Sequence, residues 1–113
     1  MSRIPPAKDP SRNVWLQLGL PDAEEHYLKA ELVLRLGRTI KAQGLTQAAA
    51  ARRLRATQPE LSKVLRGKFS EVSVERLMLF LTALGHRVEI KIGTVKKGRV
   101  GELSVGDDRR PAV

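Results

Sequence analysis

The sequence predicts an all-α fold, a compact bundle of four to five helices followed by one short β-strand. A length of 113 residues is enough for one domain and too short for two. Apolar residues recur at helical spacing in segments that glycines separate, and close to the C-terminus the period changes to strict alternation. We expect a flexible N-terminal tail over residues 1–12, a folded domain over 13–92 and a flexible basic C-terminal tail over 93–113.

A long first helix is predicted from about residue 22 to residue 43. Asp22 is placed to cap its N-terminus, with Glu25 as the partner in a capping box, and Gly44 is suited to the turn beyond its end. Its buried stripe follows three- and four-residue steps: Leu28, Leu32, Val33, Leu36 and Ile40.

Two short helices with a three-residue turn follow. Thr46 is the predicted cap of a helix over 47–54, and Thr57 that of a helix that runs to Arg66 and stops at Gly67. Thr57 and Glu60 have the spacing of a capping box, in which the Glu60 side chain reaches back to the helix start. Two short helices at this spacing, with apolar residues facing each other, indicate a helix-turn-helix.

The last predicted elements are a helix and a strand. Ser73 caps a helix that ends at Gly85, and residues 87–92 then alternate charged and apolar side chains as a half-buried strand does. A lone strand cannot satisfy its own backbone, so it must pair with the segment 14–18 or with the same strand of a second subunit. The second alternative would place it at a dimer interface.

Positive charge is concentrated on the predicted helix-turn-helix. The chain carries a net charge of +9. Between residues 45 and 68 there are six basic residues and one acidic residue, Glu60, so this segment carries +5 of that charge. The six are Arg52, Arg53, Arg55, Lys63, Arg66 and Lys68. Such a concentration favours a polyanionic partner, and nucleic acid above all.

The second motif helix has an outer edge suited to reading bases. With Leu61, Val64 and Leu65 pointing inward, its outer side chains are Gln58, Ser62, Lys63 and Arg66. Glutamine can pair with adenine, lysine and arginine can donate to guanine, and a proline such as Pro59 can contact a thymine methyl. The sequence therefore predicts a sequence-specific double-stranded DNA-binding transcriptional regulator that uses this helix in the major groove.

The segment from Thr46 to Gly85 resembles the Cro/C1 (XRE) family of phage-type repressors, whose fold is lambda-repressor-like. With Asn13–Pro21 ahead of it and residues 87–92 behind, about 80 residues are similar to the branch that contains HigA-type antitoxins. The resemblance implies a cytoplasmic autorepressor that binds operator DNA. We expect a homodimer, because symmetric half-sites require a two-fold protein. It also implies a possible second partner, a RelE/HigB-like toxin, and hence the antitoxin of a toxin-antitoxin pair.

The resemblance also assigns roles to single residues. It implies that Gln47 binds a DNA phosphate and braces the reading helix. It places four residues at base-facing positions, namely Gln58, Pro59, Ser62 and Lys63. Thr57, Arg66 and Lys68 fall near the phosphate backbone. One position departs from the family pattern: Arg55 stands where the turn usually has glycine. It needs either a left-handed conformation or a slightly different turn, and it would project near the phosphates.

The sequence gives less support to other classes of function. The chain has two histidines, no cysteine and none of the common catalytic or phosphate-binding motifs, so we predict no enzyme, cofactor or metal site. It has too few aromatic residues in the basic segment to favour RNA. No run approaches a membrane span, and the N-terminus lacks the apolar stretch of a signal peptide. A protein-interaction scaffold that neutralises a toxin and binds DNA only weakly remains the alternative.

Overall fold

Four α-helices make up the regular structure of residues 23–107, the part of the chain that the computed structural model describes. They are α1 (Ala23–Ala42), α2 (Gln47–Leu54), α3 (Gln58–Leu65) and α4 (Val74–Ala83). The predicted all-α bundle is confirmed, with four helices in this region rather than five. The predicted tail over 1–12, the Asp22 cap and the segment 14–18 lie outside the described residues.

One apolar core holds the four helices together. α1 packs against α3 and α4, and α2 packs against the same two helices. The largest fully buried side chains come from three helices: Leu36, Leu61, Val64 and Leu77. Because α2 and α3 have only eight residues each, they are too short to be stable alone and depend on this burial.

The caps of the three shorter helices are those predicted from the sequence. The Thr46 hydroxyl accepts from the Ala49 amide at 3.0 Å, and the Thr57 hydroxyl accepts from the Glu60 amide at 3.1 Å. Ser73 accepts from the Arg76 amide in the same way, at 3.0 Å. Each cap satisfies a first-turn amide that has no acceptor within its helix, which defines where the helix begins.

The predicted C-terminal strand is wrong for the single chain: residues 23–107 contain no β-strand. A strand needs a neighbouring strand for its backbone hydrogen bonds, and no part of the described chain lies beside residues 87–92 as a strand. Instead the segment after α4 runs without regular structure and returns to α1. There Asp107 accepts from Arg35 at 2.7 Å and the Glu24 carboxylate accepts from the Leu103 amide at 2.9 Å.

The turn between α2 and α3 depends on one residue in a left-handed conformation. Arg55, which replaces the usual glycine, has φ 58° and ψ 41°, so of the two expected alternatives the chain adopts the left-handed one. The Arg55 amide donates to the Arg52 carbonyl at 3.2 Å and the Ala56 amide to the Ala51 carbonyl at 3.0 Å. These bonds satisfy carbonyls at the end of α2, at the cost of steric strain on an L-residue.

We expect Arg55→Gly to be more stable than Arg55→Ala by about 1 kcal/mol in the free energy of unfolding, because only glycine adopts positive φ without a Cβ clash. Both variants lose the same charge, so the comparison isolates the backbone. Urea denaturation followed by circular dichroism measures the difference. Equal denaturation midpoints for the two variants would show that the turn stores no strain.

Candidate nucleic-acid interface

α3 has one buried side and one exposed edge. Leu61 and Val64 are 0% and 1% exposed, which directs the opposite edge of this two-turn helix to solvent. Of the four predicted base-reading residues, Gln58, Pro59 and Lys63 are exposed and Ser62 is half-buried. The structure therefore places all four on or beside the accessible edge.

The predicted phosphate-contacting residues are accessible as well. Those at the helix starts and in the turn are exposed, and so are the cations at the end of α3: Gln47, Arg55, Thr57, Arg66 and Lys68. Gln47 is the first residue of α2, where the first-turn amides and the positive end of the helix dipole favour an anion. A phosphate oxygen is an anion of this kind.

The basic residues of the helix-turn-helix segment are accessible to solvent. All six basic residues between 45 and 68 are exposed, and within residues 23–107 none of the six forms an ion pair with a carboxylate. Their charge is therefore not neutralised by the described chain. A polyanion would gain from binding here by releasing its counterions.

Arg66 contacts a neighbour on the reading edge. Its Nη1 donates to the Ser62 hydroxyl at 3.2 Å, one helical turn away. Because this bond uses only one of the five guanidinium N–H groups, Arg66 keeps donors for an anion. Ser62 keeps its hydroxyl proton for donation to an acceptor. This hydrogen bond therefore connects one predicted phosphate-contacting residue, Arg66, with one predicted base-reading residue, Ser62.

The side chain of Glu60 has a different partner from the one that the sequence predicts. Its carboxylate does not complete a capping box but binds Arg76 of α4, with Oε2 3.0 Å from Nη1 and Oε1 accepting from Nη2 at 3.1 Å. The Arg76 guanidinium also lies over the Phe80 ring, 5.1 Å from its centroid. Arg76 is not among the residues predicted from the sequence, since a pair separated by 16 residues leaves no local signal.

This ion pair has two consequences for α3. It ties the first turn of α3 to α4, which helps to hold the helix in its orientation. It also pairs the one carboxylate of the basic segment with a cation, and so reduces its repulsion of a polyanion. The side chains are 43% and 30% exposed, so its contribution to stability is small.

Both histidines have structural contacts. The His26 ring lies against Phe69, with 5.2 Å between the centroids. The Thr39 hydroxyl donates its proton to the Arg35 carbonyl. His86 Nε2 lies 2.7 Å from the same hydroxyl oxygen, and because that hydroxyl proton is already used, the histidine is the donor in this second hydrogen bond. Within residues 23–107 no three histidine, aspartate or glutamate side chains cluster as a metal site would require.

The described helices are also informative about membranes. None of those between residues 23 and 107 combines the length and the apolar character that a membrane span requires.

Comparisons with known proteins agree with this geometry. Residues 14–93 match the family model of a helix-turn-helix domain. A solved structure described as "Putative XRE Family Transcriptional Regulator" is similar to this chain, with 42% sequence identity and a TM-score of 0.73. The alignment covers 78% of this chain and 100% of the other. Among proteins with curated functions, none matches this chain.

Proposed function

Because this chain belongs to the XRE-type helix-turn-helix family, we propose that it is a sequence-specific regulator of transcription that reads an operator with the exposed edge of α3. The observation that carries the proposal is the position of α3. Its apolar side is buried against the core, and its exposed edge belongs to a segment, residues 45–68, that carries six exposed basic residues and one carboxylate. We further propose that the regulator represses its own promoter.

The four residues of the reading edge would contact bases. Gln58 has the donor and acceptor pair that adenine requires, Lys63 can donate to guanine, Ser62 can bond either base, and Pro59 can contact a thymine methyl. The cations and the helix ends would bind phosphates instead. Such contacts fix the depth and angle of the helix in the groove and carry no sequence information.

The proposed functional unit is a homodimer. A single short reading helix contacts few base pairs, and tight specific binding generally requires two half-sites about one helical turn apart. A two-fold symmetric protein then matches a palindromic operator.

An antitoxin role is proposed on the sequence resemblance alone. A RelE/HigB-like toxin would be the second partner, bound by a surface other than the reading edge of α3. The alternative of a toxin-binding scaffold with only weak DNA binding does not explain why exposed cations are concentrated on α2, on α3, in their turn and just after α3. That concentration favours DNA as the main partner.

We expect Gln58→Ala and Lys63→Ala each to weaken binding to the operator by about 1 to 3 kcal/mol and to relax base preference, because each removes a base-edge contact. Lys68→Ala is the matched control, since it removes an exposed cation from the same region but a phosphate contact only. It should weaken all DNA alike. Titrations of each variant on the selected operator and on scrambled duplex measure both effects, and equal losses for Lys63→Ala and Lys68→Ala on both DNAs would contradict the assignment.

Gln47→Ala should lower operator affinity markedly while the melting temperature stays nearly unchanged. The side chain is exposed, so its loss should change stability by no more than about 0.5 kcal/mol. A phosphate contact at the start of α2 would, however, set how deep α3 enters the groove, and its loss would degrade base and phosphate contacts together. Undiminished operator binding by this variant at physiological salt would show that α2 does not dock in this way.

A further inference from the structure

A lysine of α1 is buried, although its side chain is charged. Within residues 23–107 Lys29 is the only charged residue that is buried, with 6% of its surface exposed. Its ammonium has two partners: Nζ donates to the Ser70 carbonyl at 2.9 Å, and it lies 3.2 Å from Oε2 of Glu25, one turn earlier on α1. Burying an ammonium is unfavourable, and an apolar side chain of the same length would fill the same space without that penalty. Packing alone therefore does not account for a lysine at this position.

The carbonyl that Lys29 holds belongs to the loop between α3 and α4. Ser70 comes two residues after Lys68, whose side chain is exposed. The loop is fastened on both sides of Lys68. Before it, the Lys68 amide donates to the Lys63 carbonyl at 2.9 Å, which ties the loop to the end of α3. After it, the Phe69 ring is buried in the core and the Ser70 carbonyl is bound by Lys29.

The two anchors after Lys68 differ in kind. The burial of Phe69 holds the loop against the core, but apolar contact is non-directional. The hydrogen bond from Lys29 requires a short distance and a defined angle at the Ser70 carbonyl. It therefore fixes the orientation of the loop backbone, which burial of Phe69 alone does not do.

The ammonium of Lys29 is not itself placed to bind a phosphate. Only 8% of the side chain is exposed, and its charge is offset by the carboxylate of Glu25. Any effect of Lys29 on DNA binding must therefore pass through the loop that it holds.

We propose that Lys29 is a positioning residue for DNA binding: by holding the Ser70 carbonyl, it fixes the α3–α4 loop so that the ammonium of Lys68 stays in reach of a phosphate. The inference rests on the proposed function, because it takes Lys68 as a phosphate contact. A loop that is ordered before DNA arrives loses less conformational freedom on binding than a mobile one. Lys29 thus supports the phosphate contact without touching the duplex.

The salt dependence of binding tests this role. For duplex DNA each phosphate contact contributes about 0.9 to the magnitude of the slope of log affinity against log salt concentration. Lys68→Ala should lower that magnitude by about this amount on a scrambled duplex. Lys29→Met, which keeps the length of the side chain but removes its donors, should lower it by a similar amount. The double variant should show no further decrease beyond Lys68→Ala alone.

Two control variants separate charge from position. Lys91→Met removes an exposed lysine from the segment after α4, so it matches the loss of net charge in Lys29→Met. Glu25→Gln removes the ion pair of Lys29 but leaves the bond to Ser70. Both should keep the slope of the parent protein. A smaller folded fraction would lower affinity equally at every salt concentration and would not change the slope, so a merely structural role of Lys29 would leave it unmoved.

An ester in place of the amide bond between Ser70 and Glu71 supplies a second measurement, which keeps Lys29 and its charge. Because an ester carbonyl is a weaker hydrogen-bond acceptor than an amide carbonyl, the slope should fall in the same direction as in Lys29→Met. This measurement does not depend on whether Lys29→Met folds. A parental slope for the ester chain would overturn the proposal.

Two other results would overturn it. One is a parental slope for Lys29→Met together with a lowered slope for Lys68→Ala, which would remove the positioning role and leave the phosphate contact standing. The other is a further decrease in the double variant, which would show that Lys29 acts independently of Lys68. A parental slope for Lys68→Ala would instead contradict the phosphate contact in the proposed function, and the inference would fall with it. The failure of the inference alone and the failure of the proposed contact are therefore distinguishable.

Discussion

The burial of Leu61 and Val64 is the constraint on which the rest of this structure depends. An isolated helix of eight residues is unstable in water, so α3 exists only because its apolar side completes the core formed with α1, α2 and α4. The same burial decides which residues face outward. The exposed position of Gln58 and Lys63 is therefore a consequence of core packing. The candidate nucleic-acid interface stands on a helix that the packed core holds in place.

Electrostatics then gives this edge a preferred partner. The basic residues of the segment 45–68 are exposed to solvent. The one carboxylate of the segment, Glu60, forms an ion pair with Arg76 of α4, so its negative charge is partly neutralised. The remaining positive charge attracts a polyanion at long range, and this attraction weakens as the salt concentration rises. In the proposed function, the side chains on the edge would discriminate between sequences only after this attraction has brought a duplex close.

The caps and the turn follow from local signals in the sequence, whereas the partner of Glu60 and the conformation of residues 87–92 depend on contacts that a local pattern does not show. The caps at Thr46, Thr57 and Ser73 and the left-handed Arg55 follow from interactions within four residues, which the sequence displays directly. The partner of Glu60 was predicted wrongly, because a capping box and an ion pair with a distant arginine look alike until the packing of α3 on α4 is known. The strand over 87–92 was predicted from a genuine alternation, but alternation shows a two-faced segment and does not supply a neighbouring strand. The four predicted base-reading residues stay a prediction, because exposure permits a contact with DNA and the contact itself is set by the sequence of the duplex.

The central claim is that the edge of α3 distinguishes one DNA sequence from another. Its most direct test is the ratio of two dissociation constants of the full chain at physiological salt, one for a duplex selected from a random library and one for a scrambled duplex of equal length. If α3 reads bases, the selected duplex should bind about 10³-fold more tightly, or better. Equal affinity for the two duplexes would contradict it.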